Sequence, residues 1–396
     1  MKILIAAASF SSSISGLQRH AFNTVHCLMQ RPEISALHLV VAPWQAHLLP
    51  AVGLSASGKL STHIADMNSS SMSRNLWYYR QLPRLADALQ ADIIHLTFPM
   101  PVNAARFSCR TVVTLHDLYP YEIPRNFGFP KVLFNRAVLQ QCLRSVDAIA
   151  CVSDATGRAL ARYTPRTVWQ KSFRIYNCVD AERPRSIGSP IPGWWGQTFL
   201  LCVAQHRRNK NIPVVLKAFA RLMRLGKITS GSMLVVVGMR GPETPRIYRL
   251  VHSLGLHNSV QFLEGLSDSE LQWCYAQCEA VVAPSMTEGF GLPVAEALLA
   301  GCRVVCSDIP AFREVGGAHC RYVALQGNAD ETFAEAISMA LREPKQPPIC
   351  LPQFSASALA QEYIGLYRKL LTSSAARRNT EHSAALRTRV PERPSL

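Results

Sequence analysis

The sequence has no long hydrophobic run. Among its 396 residues, apolar residues never continue for the roughly 18 positions that a membrane-spanning helix needs. The opening run at 3–8 is also shorter than the apolar segment of a usual signal peptide, so we interpret it as a buried first strand. These features predict a cytoplasmic protein without a membrane span.

Acidic residues are few in comparison with basic ones. The chain has 26 Asp and Glu against 42 Lys and Arg, which gives a formal net charge of +16. A charge of this size fits a nucleic acid, an anionic membrane surface or an anionic substrate as partner. Because the sequence has no recognisable nucleic-acid-binding motif, we expect no nucleic-acid partner.

Several motifs of metal and cofactor sites are missing as well. The 12 cysteines include no Cys-x-x-Cys pair, and no His set stands near Cys274 and Cys278 or near Cys302 and Cys306. These absences argue against a zinc site. The first strand is not followed by Gly-x-Gly-x-x-Gly, the motif of nicotinamide enzymes. We therefore expect reduced core cysteines, no bound metal and no cofactor.

The apolar runs that are present are short and alternate with helix-like segments. In the first half of the chain they lie at 2–8, 37–42, 92–96, 111–115 and 147–152. In the second half they lie at 198–204, 233–238, 260–263, 280–284 and 303–307. This alternation is typical of parallel sheets with crossover helices. The chain is therefore predicted to have an α/β fold with two doubly wound domains.

A stretch rich in Pro and Gly separates the two series. It lies within 183–196, which we predict to be a linker between domains at 1–182 and 197–350. A last helix is predicted within 351–371, from about residue 355, and is expected to return to the first domain. Residues 372–396 are polar and basic, so we predict a disordered tail there. In such folds the functional residues are expected just after strands.

The most informative segment lies at 283–307 and has the pattern strand, glycine loop, helix, strand. Pro293 suits the first turn of the helix, and Gly301 suits its exit. Gly289 and Gly291 are expected to present backbone N–H groups at the positive helix end. Such an environment favours a phosphate or a sugar hydroxyl.

Two carboxylates belong to this segment. Glu288 is expected in the loop and Glu296 in the first helical turn, where they can accept hydrogen bonds from separate hydroxyl groups of one extended ligand. In the alternative interpretation, Glu296 only complements the helix dipole and Glu288 is solvated.

The pair Glu288 and Glu296, within Glu-Gly-Phe-Gly-Leu-Pro, resembles the signature of glycosyltransferase family 4, a family of retaining enzymes with the GT-B fold. The resemblance implies that Glu288 contacts hydroxyls of the donor sugar and that Glu296 contacts the nucleotide ribose. It also implies a loop backbone that borders the sugar and the phosphates, from Gly289, Phe290, Gly291 and Leu292.

A basic patch follows the first predicted strand of the second domain. Arg207, Arg208 and Lys210 can neutralise a diphosphate leaving group, since Arg offers a bidentate fork and Lys a point charge. Lys210 matches the lysine of the family. The chain departs from the family at Gln205, where Arg is frequent, and at Ala204, where Gly is usual. Alternatively, the patch is a solvated basic loop.

The first domain contributes two further candidates. His116 follows a predicted strand, and an imidazole can bind a sugar hydroxyl or stabilise charge at the reacting carbon. His116-Asp117 resembles the strand-end His-Asp of the family, which implies a place near the transferred sugar. Gly16 resembles the glycine loop facing the diphosphate, although the family often has two adjacent glycines where this chain has Ser15-Gly16.

The resemblance to this family, together with the basic patch, implies a retaining, metal-independent hexosyltransferase. Its donor would be a nucleotide diphosphate sugar, GDP-mannose or a UDP-sugar, and its acceptor a glycan or lipid-linked saccharide in polysaccharide biosynthesis. We expect His116, Glu288 and Lys210 to be catalytic. The chain lacks the Asp-x-Asp motif of metal-dependent glycosyltransferases. Because of Gln205, a sugar-nucleotide epimerase of the same fold or a non-catalytic sugar-nucleotide-binding protein is the alternative.

One segment has the composition of a membrane-surface element. Basic residues alternate with aromatic and aliphatic residues at 125–136. We hypothesise peripheral binding to the anionic inner face of the cell membrane. In the alternative interpretation, these aromatic residues belong to the core.

Overall fold

The structure is a computed structural model that describes residues 1–12, 14–54, 58–179 and 189–387, with side chains described up to residue 372. The first sheet contains β1 (Lys2–Ala6), β2 (Ala36–Val41), β3 (Leu60–Ile64), β4 (Ile93–Leu96), β5 (Arg110–Leu115), β6 (Ala148–Cys151) and β7 (Ser172–Arg174). The helices around it are α1 (Gly16–Met29), α2 (Leu48–Ala51), α3 (Ser71–Ala88), α4 (Tyr119–Glu122), α5 (Lys131–Ser145), α6 (Asp154–Tyr163) and α7 (Arg166–Trp169). The strand order is β3-β2-β1-β4-β5-β6-β7, with parallel pairing throughout.

The second sheet has the order β10-β9-β8-β11-β12-β13, again parallel. Its strands are β8 (Phe199–Val203), β9 (Met233–Val237), β10 (Val260–Leu263), β11 (Ala280–Ala283), β12 (Val304–Ser307) and β13 (Arg321–Val323). The following helices are α8 (Ile212–Arg224), α9 (Thr244–Ser253), α10 (Asp268–Gln277), α11 (Leu292–Leu299), α12 (Pro310–Gly316), α13 (Ala329–Arg342) and α14 (Ala356–Arg387). Short 3₁₀ turns lie at Pro43–Gln45, Ala104–Arg106, Pro124–Asn126, Arg208–Lys210 and Pro352–Phe354.

Each sheet is covered by helices on both faces, which explains the continuous apolar strands. In β1, Ile3 and Ile5 belong to the cluster that packs against α1 and α14, whereas Leu4 belongs to the cluster on the opposite face. The second sheet likewise separates two clusters. Because every side chain of a central strand is buried, such strands are apolar at consecutive positions and do not alternate. The prediction of two doubly wound α/β domains is confirmed.

The ten predicted strands are present with ends shifted by a residue or two, whereas three strands were missed. These are β3, β7 and β13, and all three lie at the outer edges of their sheets. Their side chains are mostly half-buried or exposed, so their sequences carry few apolar residues. An edge strand pairs on one side only and needs less apolar surface, which leaves a weak signal in the sequence.

The last helix is longer than predicted. α14 spans Ala356–Arg387 and therefore continues into the segment that we expected to be a disordered tail from residue 372. Residues beyond 371 include several Ala and Arg, which have high helix propensity and favour continuation of the helix. Residues 388–396 of the predicted tail lie outside the described residues. The expected return to the first domain is present, since Tyr363 and Tyr367 are buried in its core.

The linker predicted at 183–196 lies between β7 and β8, but its residues 183–188 lie outside the described residues. Nine of the 12 cysteines are buried, in agreement with the expected core positions. The three exceptions to the expected burial are Cys109 and Cys320, which are half-buried, and Cys350, which is exposed. Among the described residues, no helix has the length and apolar character required to cross a bilayer.

The two domains meet at the carboxyl ends of their parallel strands. The loops after β5 and β6 contact the loops after β8 and β11, as in the hydrogen bond from Asn126 Nδ2 to Asn209 Oδ1 at 3.2 Å. At another part of the same boundary, Arg19 on α1 forms an ion pair with Asp268 on α10 at 2.5 Å. Ligands of open α/β sheets bind at these strand ends, so the functional site is expected at this boundary.

Candidate active site

The β11–α11 loop ends in a left-handed glycine directly before the helix. Gly291 is the N-cap of α11 with a φ of 109°, a conformation that side chains rarely adopt. A Cβ at this position would also lie 2.8 Å from the Phe312 ring. Pro293 is the second helical residue, and Gly301, with a φ of 75°, follows the helix end. The roles predicted for Pro293 and Gly301 are confirmed.

Glu296 lies one turn further along than predicted. α11 begins at Leu292, directly after the left-handed Gly291, so Glu296 is its fifth residue and belongs to the second turn. The expectation of a first-turn position was wrong, and with it the helix-dipole alternative loses its basis. Glu296 is buried and accepts a hydrogen bond from Tyr275 Oη at 2.8 Å. Contact with a nucleotide ribose stays a prediction.

Glu288 and Lys210 meet at the domain boundary, although 78 positions separate them in sequence. Lys210 Nζ donates to Glu288 Oε1 at 2.6 Å. The Glu288 side chain is 9% exposed and that of Lys210 is 18% exposed. A carboxylate at this depth requires a charge partner, and Lys210 supplies it. The solvated alternative for Glu288 is therefore wrong.

Tyr119 is a third member of this group that the sequence did not reveal. Its Oη donates to Glu288 Oε2 at 3.1 Å, so both carboxylate oxygens are engaged. Burial and the neighbouring Glu288 charge raise the pKa of Tyr119 well above its ordinary value, which keeps the phenol protonated as a donor. The available signal was its place three residues after His116, in the same strand-end loop.

His116 is a neutral hydrogen-bond acceptor in this structure. Its Nε2 lies 2.8 Å from the Thr97 carbonyl oxygen, which can only accept, so Nε2 carries the proton and Nδ1 does not. Burial lowers the pKa of His116 to about 4. A neutral ring of this tautomer can accept a hydrogen bond from a sugar hydroxyl through Nδ1. It does not offer an imidazolium charge to the reacting carbon at neutral pH.

The backbone around Gly289 joins the two domains tightly. A Cβ on Gly289 would lie 1.5 Å from the His116 carbonyl oxygen, so no other residue fits without movement. The Gly289 carbonyl accepts hydrogen bonds from Ser153 Oγ and, at 3.0 Å, from Thr156 Oγ1 at the start of α6. Gly289 therefore holds the loop of Glu288 against the strand end that carries His116.

Phe290 and Leu292 have different environments in the same loop. Phe290 is buried and packs against Tyr176 and Phe354, with ring centroids 6.0 Å and 5.0 Å away. Its side chain thus fixes the loop to the core, and only its backbone is available to a ligand. Leu292 is half-buried at the first position of α11. Donor binding by the Gly289–Leu292 backbone stays a prediction.

Arg207 and Arg208 lie beside this group without joining it. Both are half-buried, and within the described part of the chain neither guanidinium forms an ion pair or a side-chain hydrogen bond. Lys210 ends the 3₁₀ turn that begins at Arg208, and Asn211 follows in a left-handed conformation with a φ of 51°. The structure therefore brings Lys210, but neither arginine, into contact with Glu288.

Gly16 begins α1, after the N-cap Ser15, whose backbone N–H donates to Gln18 Oε1 at 2.8 Å. No atom lies within 4 Å of a Cβ built on Gly16, so the surrounding protein does not require glycine there. Space beside the helix start remains for a ligand. Its contact with a diphosphate stays a prediction.

A buried polar network beneath His116 was also missed. The His116 ring contacts the His20 ring edge-on, with centroids 4.7 Å apart. His20 Nε2 and His95 Nε2 lie 3.3 Å and 2.7 Å from Thr114 Oγ1, and His95 Nδ1 lies 2.8 Å from Tyr367 Oη. Burial lowers the pKa of His95 to about 3, so the network is uncharged. α14 thereby braces the strands that carry His116.

Comparisons with known proteins agree with this geometry. The family model described as "Glycosyltransferase Family 4" matches residues 14–183, and the one described as "Glycosyl transferases group 1" matches residues 195–350. The two matches fall on the two domains and together span most of the chain.

Two similar proteins are O-antigen chain mannosyltransferases. The chain is 26% identical over 340 residues to O-antigen chain mannosyltransferase B of Escherichia coli, covering 80% of this chain and 85% of the relative. It is 30% identical over 222 residues to O-antigen chain mannosyltransferase RfbU of Salmonella typhimurium, covering 56% of each.

Among solved structures, the HepE protein of Anabaena in complex with UDP and glucose has a TM-score of 0.62 at 15% identity, covering 97% of this chain and all of HepE. At 15% identity, this similarity is evidence for the fold alone. Neither an epimerase nor a non-catalytic protein is among these relatives, so the alternative function is not supported. The chain belongs to glycosyltransferase family 4 and is a hexosyltransferase with the GT-B fold.

Proposed function

We propose that this hexosyltransferase takes its sugar from a nucleotide diphosphate donor, with retention of the anomeric configuration, and that GDP-mannose is the first donor to test. The ion pair between Lys210 and Glu288 carries the proposal. A donor offers a diphosphate to Lys210 and sugar hydroxyls to Glu288, so each of these partly buried charges exchanges its partner for a complementary one. The mannosyltransferase names of the two relatives support mannose.

In the proposed reaction, the bond between the anomeric carbon and the diphosphate oxygen breaks, and its electron pair leaves with the diphosphate. An acceptor hydroxyl oxygen forms the new bond to the same carbon, and its proton passes to an oxygen of the leaving diphosphate. Stabilising the leaving diphosphate is the main electrostatic task. Lys210 performs it with the two arginines of the basic patch, Arg207 and Arg208, which have no charge partner among the described residues. The neutral His116 accepts a hydrogen bond from the sugar.

In this reaction, cationic side chains stabilise the leaving diphosphate in place of a divalent ion. We therefore propose that turnover needs no metal and no cofactor. Purified protein is incubated with GDP-mannose and three UDP-hexoses, with and without a panel of saccharide acceptors and with excess EDTA. Release of nucleoside diphosphate that depends on an acceptor, persists in EDTA and gives a product of retained configuration is expected. An inverted product, or loss of turnover in EDTA, contradicts the proposal.

The acceptor is proposed to be a glycan or a lipid-linked saccharide in polysaccharide biosynthesis, reached from an anionic membrane surface. Three apolar side chains support this surface: Phe129, Leu133 and Phe134 are 83%, 52% and 54% exposed. Arg125 and Lys131 are exposed beside them. Exposed aromatic residues with flanking basic ones favour insertion at an anionic bilayer surface. The core alternative therefore does not hold for these three side chains.

Cosedimentation with vesicles tests the membrane contact. Wild type is expected to bind vesicles containing anionic lipid at low salt and to bind zwitterionic vesicles weakly. Phe129→Ser with Phe134→Ser is expected to lower binding severalfold, whereas exposed Tyr79→Ser on α3 serves as the control. Equal binding to both vesicle types would contradict this contact.

A further inference from the structure

A pocket of about 220 Å³ lies between the two domains, beside the loop that carries Glu288. Its first-domain wall comes from α4 and α6, and its second-domain wall comes from residues 286–288 and 309–311. Glu288 is part of that wall, so the pocket opens directly beside the carboxylate that pairs with Lys210. Because pockets for drug-sized ligands measure roughly 300–1,000 Å³, this smaller pocket suits a group of about one sugar or one diphosphate.

Two arginine side chains that make no ion pair within the described residues line the pocket. Arg158 and Arg162 are four residues apart on α6 and therefore lie on the same helix face, toward the pocket. Both are exposed, and within the described residues neither makes an ion pair. The guanidinium of Arg162 lies over the Tyr163 ring, 5.5 Å from its centroid, which fixes one side of the cation.

Besides Glu288, a second carboxylate lines this pocket. Glu122 lies in the same pocket and accepts a hydrogen bond from Thr287 Oγ1 at 3.3 Å across the domain boundary. Its carboxylate interacts electrostatically with the guanidinium of Arg162. A carboxylate beside two guanidinium groups suits a ligand with both hydroxyl groups and an anionic group.

The order of the strands separates this pocket from the leaving-group site. Lys210 follows β8, Glu288 follows β11, and residues 309–311 follow β12, and these strands are consecutive neighbours in the sheet. The diphosphate-binding side chains and the pocket therefore lie on opposite sides of Glu288. A nucleotide donor has a single diphosphate, which Lys210 already serves in the proposed function. The two arginines remain for a second anion.

We propose that Arg158 and Arg162 bind a phosphate or diphosphate group of the acceptor and direct the acceptor saccharide toward Glu288. This assignment rests on the proposed transferase function and deepens it, because it makes the acceptor substrate a phosphorylated saccharide. An anionic donor sugar is the other source of the same chemistry, and the experiment separates the two.

The direct test is titration with inorganic pyrophosphate by calorimetry. It uses wild type, the double variant Arg158→Ala with Arg162→Ala, and the exposed Arg166→Ala on α7 as a matched control. Each protein is saturated with GDP or UDP, and the series is repeated in a Lys210→Ala background so that the result does not depend on nucleotide binding. The double variant is expected to weaken pyrophosphate binding at least tenfold, and Arg166→Ala to leave it unchanged.

Kinetics then assign the anion to its substrate. For an acceptor prepared with and without a diphosphate, the double variant is expected to raise KM at least tenfold for the phosphorylated form alone, with kcat and donor affinity unchanged. Absence of pyrophosphate binding in wild type, or binding that survives in the double variant, overturns the site. Weaker donor binding in the double variant overturns the acceptor assignment. If no nucleotide sugar binds wild type while pyrophosphate behaves as expected, the proposed function fails and the anion site stands.

Discussion

At the scale of single residues, the site depends on the hydrogen bonds that the Glu288 carboxylate accepts. At the domain boundary, Lys210 and Tyr119 each form a hydrogen bond with one oxygen of Glu288. A buried carboxylate with a missing partner is costly, since it loses water without gaining a hydrogen bond. The sequence identified Glu288 and Lys210 through their motifs, but nothing in it stated that they pair.

Tyr119→Phe tests the contribution of the phenol. The substitution keeps the ring and removes only the donor to Glu288, so the fold is expected to persist. Loss of a hydrogen bond to a charged group costs about 1.5–3 kcal/mol, which corresponds to roughly a tenfold to hundredfold drop in kcat/KM. The exposed Tyr79→Phe is the control. Unchanged kcat/KM in Tyr119→Phe would show that Glu288 does not use this bond during turnover.

At the scale of elements, the loop before α11 is held by its neighbours more than by its own sequence. Ser153 and Thr156 at the start of α6 bind the Gly289 carbonyl, and the His116 carbonyl fills the space where a side chain would lie. The glycine pattern therefore has two separate causes. Gly291 is required by its backbone conformation, whereas Gly289 is required by the close approach of the other domain.

Gly289→Ala tests whether this glycine is required by the close approach of the other domain. The added methyl group meets the other domain and not its own, so the domains are expected to move apart while each keeps its fold. Transfer activity should fall more than tenfold, with only a small change in the melting temperature. Gly157→Ala on α6, where no atom lies within 4 Å of the new methyl group, is the control and is expected to be neutral. A large loss of thermal stability in Gly289→Ala would instead place the strain within one domain.

At the scale of the whole molecule, the sequence was most informative about the central strands and the motif loops. Ile3, Leu4 and Ile5 point to alternate faces of a sheet that is buried on both sides, so the sequence has consecutive apolar residues there. Features that arise only from contacts between distant segments were not predictable. The bond between His95 and Tyr367 spans 272 positions, and Tyr119 has no motif that marks it.

The helix start of α11 shows the same limit on a smaller scale. The motif predicted the glycine loop and the helix, but the left-handed Gly291 shifts the first turn and places Glu296 one turn later. Element ends depend on local backbone conformation, which a residue pattern specifies only to within a few positions.

Donor binding by the Lys210–Glu288 pair is the central claim, and calorimetric titration of the donor tests it most directly. Wild type, Lys210→Ala, Glu288→Ala and the double variant are titrated with the nucleotide sugar that wild type turns over, alongside the exposed controls Lys217→Ala and Glu335→Gln. Each single substitution is expected to weaken binding at least tenfold, and the double variant to lose less than the sum of the two because the residues are coupled. Donor affinity that is unchanged in both single variants would contradict the account.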